Sequence, residues 1–361
     1  MAKHVGPPDS EDTTRAAVAT LAVVAVIAAV IAALAVFRPD DGAADPADAV
    51  TDVMLSTPDP SQPVRAGATL RKDGTSAGKV TGKPQRVNGA GKALRRKTQR
   101  ALEVEPTTFR VSTFNVLGAS HTKPGGNKRG WAPASVRMAW ATSILRSWDV
   151  DVVGFQEFES SQVSTFLART AGAWDVYPGN AGDPRNSIAW RKDTWELVSA
   201  ATTPIPYFHG STVQMPYVRL RNIASGQDVV FINVHNPAST GRWGNNERWR
   251  DVATAREIAL VNSLHAQDLP VVLTGDFNER DEVFCRVTGS GAMVAAAGGS
   301  TAGGRCLPPA GMGVDWIFGS AVIDFSDFVR QDSGLVNRAT DHPFVVSTAT
   351  IPPLTDSQPP G

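Results

Sequence analysis

Aromatic residues are confined to one part of this chain, and that confinement decides where a fold can form. All nine Trp lie between Trp131 and Trp316, and no Phe, Tyr, Trp or Ile occurs from Arg38 to Glu105. The stretch 38–106 is rich in Ala, Gly, Pro, Thr and charge instead. It lacks the large apolar groups that offset the entropy of ordering a chain, so it reads as a disordered tether. Residues 107–350 hold the core-forming side chains and read as one large layered domain. Residues 351–361 read as a flexible tail.

Ahead of the tether, Ala16 through Phe37 carry no charge and no strongly polar group except Thr20. At 22 residues this run matches the thickness of a bilayer and exceeds the usual apolar core of a cleaved signal peptide. The expectation is a transmembrane signal-anchor at 16–37, preceded by a short cytoplasmic segment at 1–15. A cleaved signal and a buried soluble helix are the competing readings. Lys3 and Arg15 precede the run and Arg38 follows it, so the positive-inside bias is slight. The expected placement is single-pass in the cell membrane with the later residues extracellular, or secreted if the segment is cleaved.

The formal net charge of zero hides an asymmetry. Between Arg65 and Arg100 there are eleven Lys or Arg and one acidic residue, Asp73, whereas from Pro106 onward 21 basic residues face 23 acidic ones. The run at 65–100 would attract nucleic acid, anionic lipid or another anionic polymer. A solvated spacer is the competing reading, and without aromatic residues the run has no base-stacking platform. Cys285 and Cys306 enclose a loop rich in Gly, Ala and Ser. A disulfide would restrain that loop and suits an oxidising compartment; two separate buried thiols are the alternative. Two cysteines with no His in the loop are too few for a structural zinc site.

Within 107–350 short apolar runs recur, several ending in polar residues. Strands are expected over Phe109–Phe114, Asp151–Phe155, Ser187–Trp190, Val218–Leu220, Val229–Val234, Leu269–Thr274, Val314–Gly319 and Phe344–Thr348. Helical spacing covers Ala134–Trp148, Ser161–Ala171 and Arg248–Ala266. Many strands with few helices favour an α/β fold of two sheets packed face to face with helices outside, an α/β sandwich. No internal repeat, Gly-rich phosphate loop or dinucleotide fingerprint occurs, so no nucleotide cofactor is expected. Nor is there a Gly-x-Ser-x-Gly elbow to support serine hydrolase chemistry.

The informative residues stand at the ends of these strands. Thr274, Gly275, Asp276, Phe277 and Asn278 follow an apolar run, and Gly275 is expected to free the backbone where the strand ends. If the backbone stays extended, Asp276 and Asn278 point to one side, toward a hydrated metal ion or a phosphate. Asn115, Glu157 and His235 likewise follow apolar runs, and the pair Asp341 and His342 stands at the start of one. Each alone is ambiguous between a surface turn, a core group and a ligand. Together they offer the hard oxygen donors that a divalent ion takes.

This ordered set resembles the endonuclease/exonuclease/phosphatase superfamily. The match runs through Phe114 and Asn115, Gln156 and Glu157, Asn233 and His235, Gly275 to Asn278, Asp315 with Trp316 and Ile317, and Ser333 and Gly334 with Asp341 and His342. That superfamily includes secreted deoxyribonucleases, abasic-site endonucleases, inositol polyphosphate phosphatases and bacterial sphingomyelinases. The resemblance covers the whole of 107–350 and implies a deoxyribonuclease I-like sandwich. It also implies roles. Glu157 is the main metal ligand, with Asn115 and Asp341 at the metal site. Asp276 orients or deprotonates the attacking water, and Asn278 holds a phosphate oxygen or fixes Asp276. His342 touches the scissile phosphate and Asp315 braces it. His235 is a second acid or phosphate contact, and Arg185 and Asn186 face the phosphate. His121 follows Asn115 in the same loop and is a candidate to line the cleft.

Position 117 is Leu where some members of the superfamily place Asp, and the tyrosine of the abasic-site enzymes is absent near His235, which argues against DNA repair. Trp243 and Trp249, flanked by Arg242, Arg248 and Arg250, are either packing groups or a surface contact patch. The implied activity is Mg2+-dependent phosphodiester hydrolysis by a monomeric catalytic domain, with Mn2+ or Ca2+ as alternative ions. Nucleic acid is the favoured substrate, which makes the chain an extracellular endonuclease. A phospholipid or sugar-phosphate phosphodiesterase or phosphatase, and an inactive cell-surface binding module, are the alternatives.

Overall fold

The structure, a computed structural model, describes residues 105–353. Strand β1 (Thr107–Asn115) leads through a short helix, α1 (Ala119–Thr122), into α2 (Ala134–Ser147). Next come β2 (Val152–Gln156), α3 (Ser160–Thr170), β3 (Trp174–Tyr177) and β4 (Ile188–Arg191). The chain crosses to a second sheet with β5 (Trp195–Pro206), β6 (Thr212–Asn222), β7 (Asp228–His235), α4 (Glu247–His265), β8 (Val271–Asp276), α5 (Asp281–Thr288), β9 (Met293–Ala295) and β10 (Asp315–Ser320). It returns with β11 (Asp324–Gln331), α6 (Val336–Ala339) and β12 (Phe344–Ile351). One six-stranded sheet has the order β11-β12-β1-β2-β4-β3, and the other β5-β6-β7-β8-β10-β9. β1 runs parallel to β2, and β7 to β8. The centre of each sheet therefore sends two strand ends to one rim.

Alternation along the strands builds the layers. Phe109 and Val111 of β1 pack with Val229 and Phe231 of β7, Val272 of β8 and Ile317 of β10 between the sheets. Phe114, of opposite parity on β1, faces outward onto Met138 and Leu145 of α2 and Phe166 of α3. Val230, Ile232, Val271 and Leu273 face outward onto Ala253, Val261 and Leu264 of α4. The result is the expected sandwich: two mixed sheets face to face, with helices on both outer faces.

The sheets approach closely at Gly154 of β2. A Cβ there would lie 2.2 Å from Thr274 Oγ1 and 2.4 Å from Asn233 Oδ1. In the space this leaves, Asn233 Nδ2 donates across to Phe155 O at 2.7 Å and Ser187 O at 3.2 Å. Gln156 Nε2 returns a hydrogen bond of 2.6 Å to Asn233 Oδ1. All three residues, Gly154, Gln156 and Asn233, are buried.

The predicted strands and helices are all present, with shifted ends. Four strands carry no sequence signal strong enough to predict them: β3, β5, β9 and β11. These are the four edges of the two sheets. An edge strand such as β5 leaves most of its side chains in solvent, so apolar alternation is not required of it. Gly275 also differs from expectation. β8 continues through it to Asp276, and the absent side chain makes room for β7 instead, since a Cβ would lie 2.6 Å from Val234 O.

The expected transmembrane helix is corrected. Among the described residues no helix is long and apolar enough to cross a membrane. The longest, α4, has 19 residues and carries Glu247, Arg248, Arg250, Asp251, Arg256 and Glu257 along its length. The assigned segments 1–15 and 16–37, and the basic run 65–100, lie outside the described residues. The anchor, the membrane as partner and the single-pass extracellular placement are withdrawn with that helix.

Two features of the fold generate measurable expectations. Cys285 of α5 is bonded to Cys306, with Cα atoms 5.5 Å apart and a sequence separation of 21. Replacing both by Ser should lower unfolding free energy by about 3 kcal/mol, read from denaturant melts. Glu257 is fully buried on the sheet-facing side of α4, and neither carboxylate oxygen makes a hydrogen bond of regular geometry. Burial raises its pKa from the ordinary 4.5 to about 8, against the nearby Asn236 amide, which favours the charged form. The folded state thus prefers the neutral acid. Stability is greatest below the unfolded pKa of 4.5 and declines as pH rises through about 8. Glu257→Gln should therefore be more stable than the parent at pH above about 8, by up to about 5 kcal/mol, and the gap should close toward about pH 4.5. A gap that stays constant across this range would contradict the burial of a titrating acid.

Candidate active site

The inner-face period that is apolar in mid-sandwich becomes polar at one rim. On β1 the series Phe109, Val111 and Thr113 ends in Asn115; on β7 Val229, Phe231 and Asn233 end in His235; on β8 Val272 and Thr274 end in Asp276. β10 runs antiparallel to β8, so its first residue, Asp315, pairs with Asp276. His235 pairs with Asp276 from the other side, and Asn115 pairs with Gln156 on the facing sheet. Strand direction and register thus deliver these groups to one place.

Asn115 joins the two halves of the site. Its Nδ2 donates to Glu157 Oε1 at 3.3 Å and to Asp276 Oδ2 at 3.1 Å. Its Oδ1 accepts from Leu117 N–H at 3.1 Å, which fixes the amide orientation. Glu157 follows β2 with φ 55°, and Leu117 and Asn278, both just past strand ends, have φ 51°. Such left-handed backbone is costly for residues with side chains and clusters at functional sites. The Glu157 carboxylate also accepts from Gly118 N–H at 2.9 Å and stands 3.2 Å from His121 Nε2. Burial works to raise its pKa, but the His121 hydrogen bond, the His235 charge and Gly118 N–H hold it well below the usual carboxylate range. Contact with Glu157 lifts His121 to about 9, against the cost of its partial burial.

Asp276 Oδ2 lies 3.5 Å from His235 Nε2 and 3.6 Å from His342 Nε2. His342 Nδ1 is 3.1 Å from both carboxylate oxygens of Asp315. Burial opposes a charge on His342, yet the two carboxylates facing it, Asp315 and Asp276, outweigh burial and move its pKa up. These carboxylates favour the protonated ring, and Asp315 sets its orientation. The loop that carries it is anchored by Thr340, whose Oγ1 donates to Asn115 O at 2.7 Å.

The remaining predicted residues divide. Arg185 and Asn186 line the cleft with Glu157 and His235, a cavity of ≈ 830 Å³. Arg185 is paired with Asp183, its Nε 2.9 Å from Asp183 Oδ1, and Asn186 Oδ1 is buried without a hydrogen bond. Asn278 is not extended. Its N–H donates to Asp276 Oδ1 at 3.0 Å and its Nδ2 to Asn236 O at 2.8 Å, so it braces Asp276 through the backbone turn. Asp341 points to Lys128, with Oδ2 and Nζ 2.6 Å apart, and is not among the groups around Asp276. Asn127, Tyr207 and Phe208 also line the cleft and have no local sequence signal, because loops distant in the chain bring them there. Trp243 lines it as well, its ring stacked on Phe208 at 4.6 Å and 7°. Trp249 packs under Gly210, where a Cβ would meet its ring at 2.5 Å.

Asp276, Asp315 and His342 each offer a ligand atom, all within 4.8 Å of one another. Glu157 and Asn115 adjoin them through Asp276, and the unpartnered oxygen of Asn186 is an orphan acceptor of the kind a cation or its water satisfies. This carboxylate, amide and imidazole set fits a divalent cation.

The family model for the endonuclease/exonuclease/phosphatase family matches residues 112–342. A comparison with curated protein sequences finds no significant match. Among solved structures, an endonuclease/exonuclease/phosphatase family protein from Bacteroides thetaiotaomicron is 15% identical, covering 68% of this chain and 99% of its own, with a TM-score of 0.53. A mannosyl-6-phosphatase from the same organism is 14% identical, covering 67% and 99%, with a TM-score of 0.51. The human Nocturnin catalytic domain is 17% identical, covering 68% and 97%, with a TM-score of 0.51. At these identities the structures speak to the fold alone. The family match spans the strands that build the rim, and with it and a cluster able to hold a divalent cation, the chain belongs to the endonuclease/exonuclease/phosphatase family and carries the groups of a metal-dependent phosphoesterase.

Proposed function

We propose that this chain is a phosphodiester hydrolase acting on nucleic acid with a divalent ion, Mg2+ or Mn2+. The observation that carries the reading is the position of Asp276. Its Oδ2 faces the Asn115 amide at 3.1 Å on one side and His342 Nε2 at 3.6 Å on the other. A water beside this carboxylate is oriented by an anion and stands next to a cationic imidazole that attracts a phosphate oxygen. Asp276 takes the proton as the water oxygen bonds to phosphorus and the bond to the leaving oxygen breaks. His342 stabilises the charge that develops on the phosphate, and Asp315 keeps it charged and aimed. His235, 3.5 Å from Asp276, is the group we assign to the leaving oxygen. The Glu157 and Asp276 carboxylates, bridged by the Asn115 amide, would hold the divalent ion, which supplies neutralisation of phosphate charge when bound.

Nucleic acid is favoured by the wall of the cleft. The stacked rings of Phe208 and Trp243, with Arg242 4.8 Å above Trp243, present an aromatic and cationic surface beside the phosphate-facing groups. Planar bases stack on such surfaces, and cations attract the phosphates that link them.

Glu157→Gln and His342→Ala should each lower kcat/KM by about 100-fold or more, measured against plasmid DNA, RNA, a phospholipid panel and sugar phosphates with EDTA controls. Hydrolysis that survives EDTA or both substitutions overturns the mechanism, and turnover confined to lipid or sugar phosphate overturns the substrate. Asp315→Asn removes an anion that holds the His342 pKa up. The alkaline limb of the pH–rate profile should therefore move to lower pH in that variant, and an unmoved limb would separate Asp315 from the state of His342.

A further inference from the structure

We propose that His121 is a direct ligand of the divalent ion, giving this chain a mixed nitrogen and oxygen site that favours Mn2+ or another first-row ion over Mg2+. The inference rests on the reading of Glu157 as a metal ligand and goes beyond it. His121 Nε2 stands 3.2 Å from Glu157 Oε2. Two donors at right angles on one ion, each at about 2.1 Å, are about 3 Å apart, so the pair already has the spacing of adjacent ligands.

The other ring nitrogen is committed. His121 Nδ1 donates to Asn127 Oδ1 at 2.7 Å. An amide oxygen only accepts, so it holds a hydrogen on Nδ1 and leaves Nε2, which faces Glu157, as the nitrogen that can give up its proton to an ion. This is the arrangement that outer partners impose on metal-binding imidazoles.

The backbone around His121 is tied to the loop of Glu157 at several points. Gly118 N–H donates to Glu157 Oε2 at 2.9 Å, Ala119 N–H to Gln162 Oε1 at 3.1 Å, and Ser120 N–H to Glu159 Oε2 at 3.0 Å. Lys128 N–H closes the loop onto His121 O at 2.9 Å. A surface imidazole that met a carboxylate by chance would need none of this bracing. The ring also lines the same cleft as His235 and Asn186, so it faces the space where an ion and phosphate would meet. Imidazole is a poor partner for Mg2+ and a good one for first-row transition ions, which sets the direction of the selectivity.

The test uses the full chain stripped with chelator and titrated with Mn2+. Free Mn2+ is read by electron paramagnetic resonance and coordination by electron spin-echo modulation, with parallel Mg2+ competition. Unlabelled protein should show modulation from a coordinated 14N, which changes on 15N-histidine labelling and disappears in His121→Ala. Mn2+ affinity should fall about 10-fold or more in His121→Ala and His121→Gln, with a smaller loss for Mg2+. Melting curves without metal show whether each variant is folded, and the labelled parent tests coordination without any substitution. Mn2+ bound in a Glu157-dependent manner, but with no histidine coupling or with coupling retained in His121→Ala, overturns the proposal and leaves the phosphoesterase reading standing. Mn2+ binding that is absent, or indifferent to Glu157→Gln, removes the metal reading itself and this inference with it.

Discussion

The contact on which this molecule depends is the buried amide clasp between its sheets. Asn233 of β7 reaches over Gly154 of β2 to two carbonyls of the opposite sheet, Phe155 O and Ser187 O, and receives Gln156 in return. An unpaired Asn233 amide at that depth would be strongly unfavourable, and both its ends are paired in this register of the two sheets. The residue after Gln156 is Glu157, and two after Asn233 is His235. Locking one pair therefore positions the other. The site inherits its geometry from a hydrogen-bonded contact in the layer beneath it.

Above the clasp, polar groups take over the inner face and their charges are matched by position. Asn115 sits between the Glu157 and Asp276 carboxylates and donates to both. On the far side two buried carboxylates, Asp315 and Asp276, face His342 and keep it cationic. The rim thus holds carboxylates suited to a cation on the Glu157 half and, on the other, a single imidazole ring suited to a phosphate oxygen. His121 extends the first half with a ring already fixed by Asn127. The left-handed backbone at Leu117, Glu157 and Asn278 lets the chain leave each strand abruptly, so that these side chains remain at the rim.

Much of this was legible from residue order because central strands and buried faces leave a strong imprint. Val271 to Leu273, or Val229 to Ile232, must be apolar wherever they are covered on both sides, and a polar residue directly after such a run stands out. The edges left no imprint: β5 exposes most of its length, so its 12 residues carry mixed character. Gly275 was legible as special, but for the wrong reason, since the demand comes from Val234 on the neighbouring strand. Asp341 beside His342 reads as a site residue in sequence, and folding turns it toward Lys128. The apolar run at 16–37 spoke for a membrane helix, and the described domain contains none.

Residue order alone determined the periodicity of the layers, the limits of the core-forming region and the identity of the strand-end groups. These are local properties, set by side-chain type at a spacing of two along a strand and of three and four along a helix. Tertiary structure decided which of those groups meet. Asn115 and Asp276 touch across 161 positions of chain, and Asp315 and His342 across 27. Phe208 and Trp243 come together only because two loops fold over the same cleft. Such contacts depend on sheet order, strand direction and the closeness that Gly154 permits, and none of these is written in any short stretch of the chain.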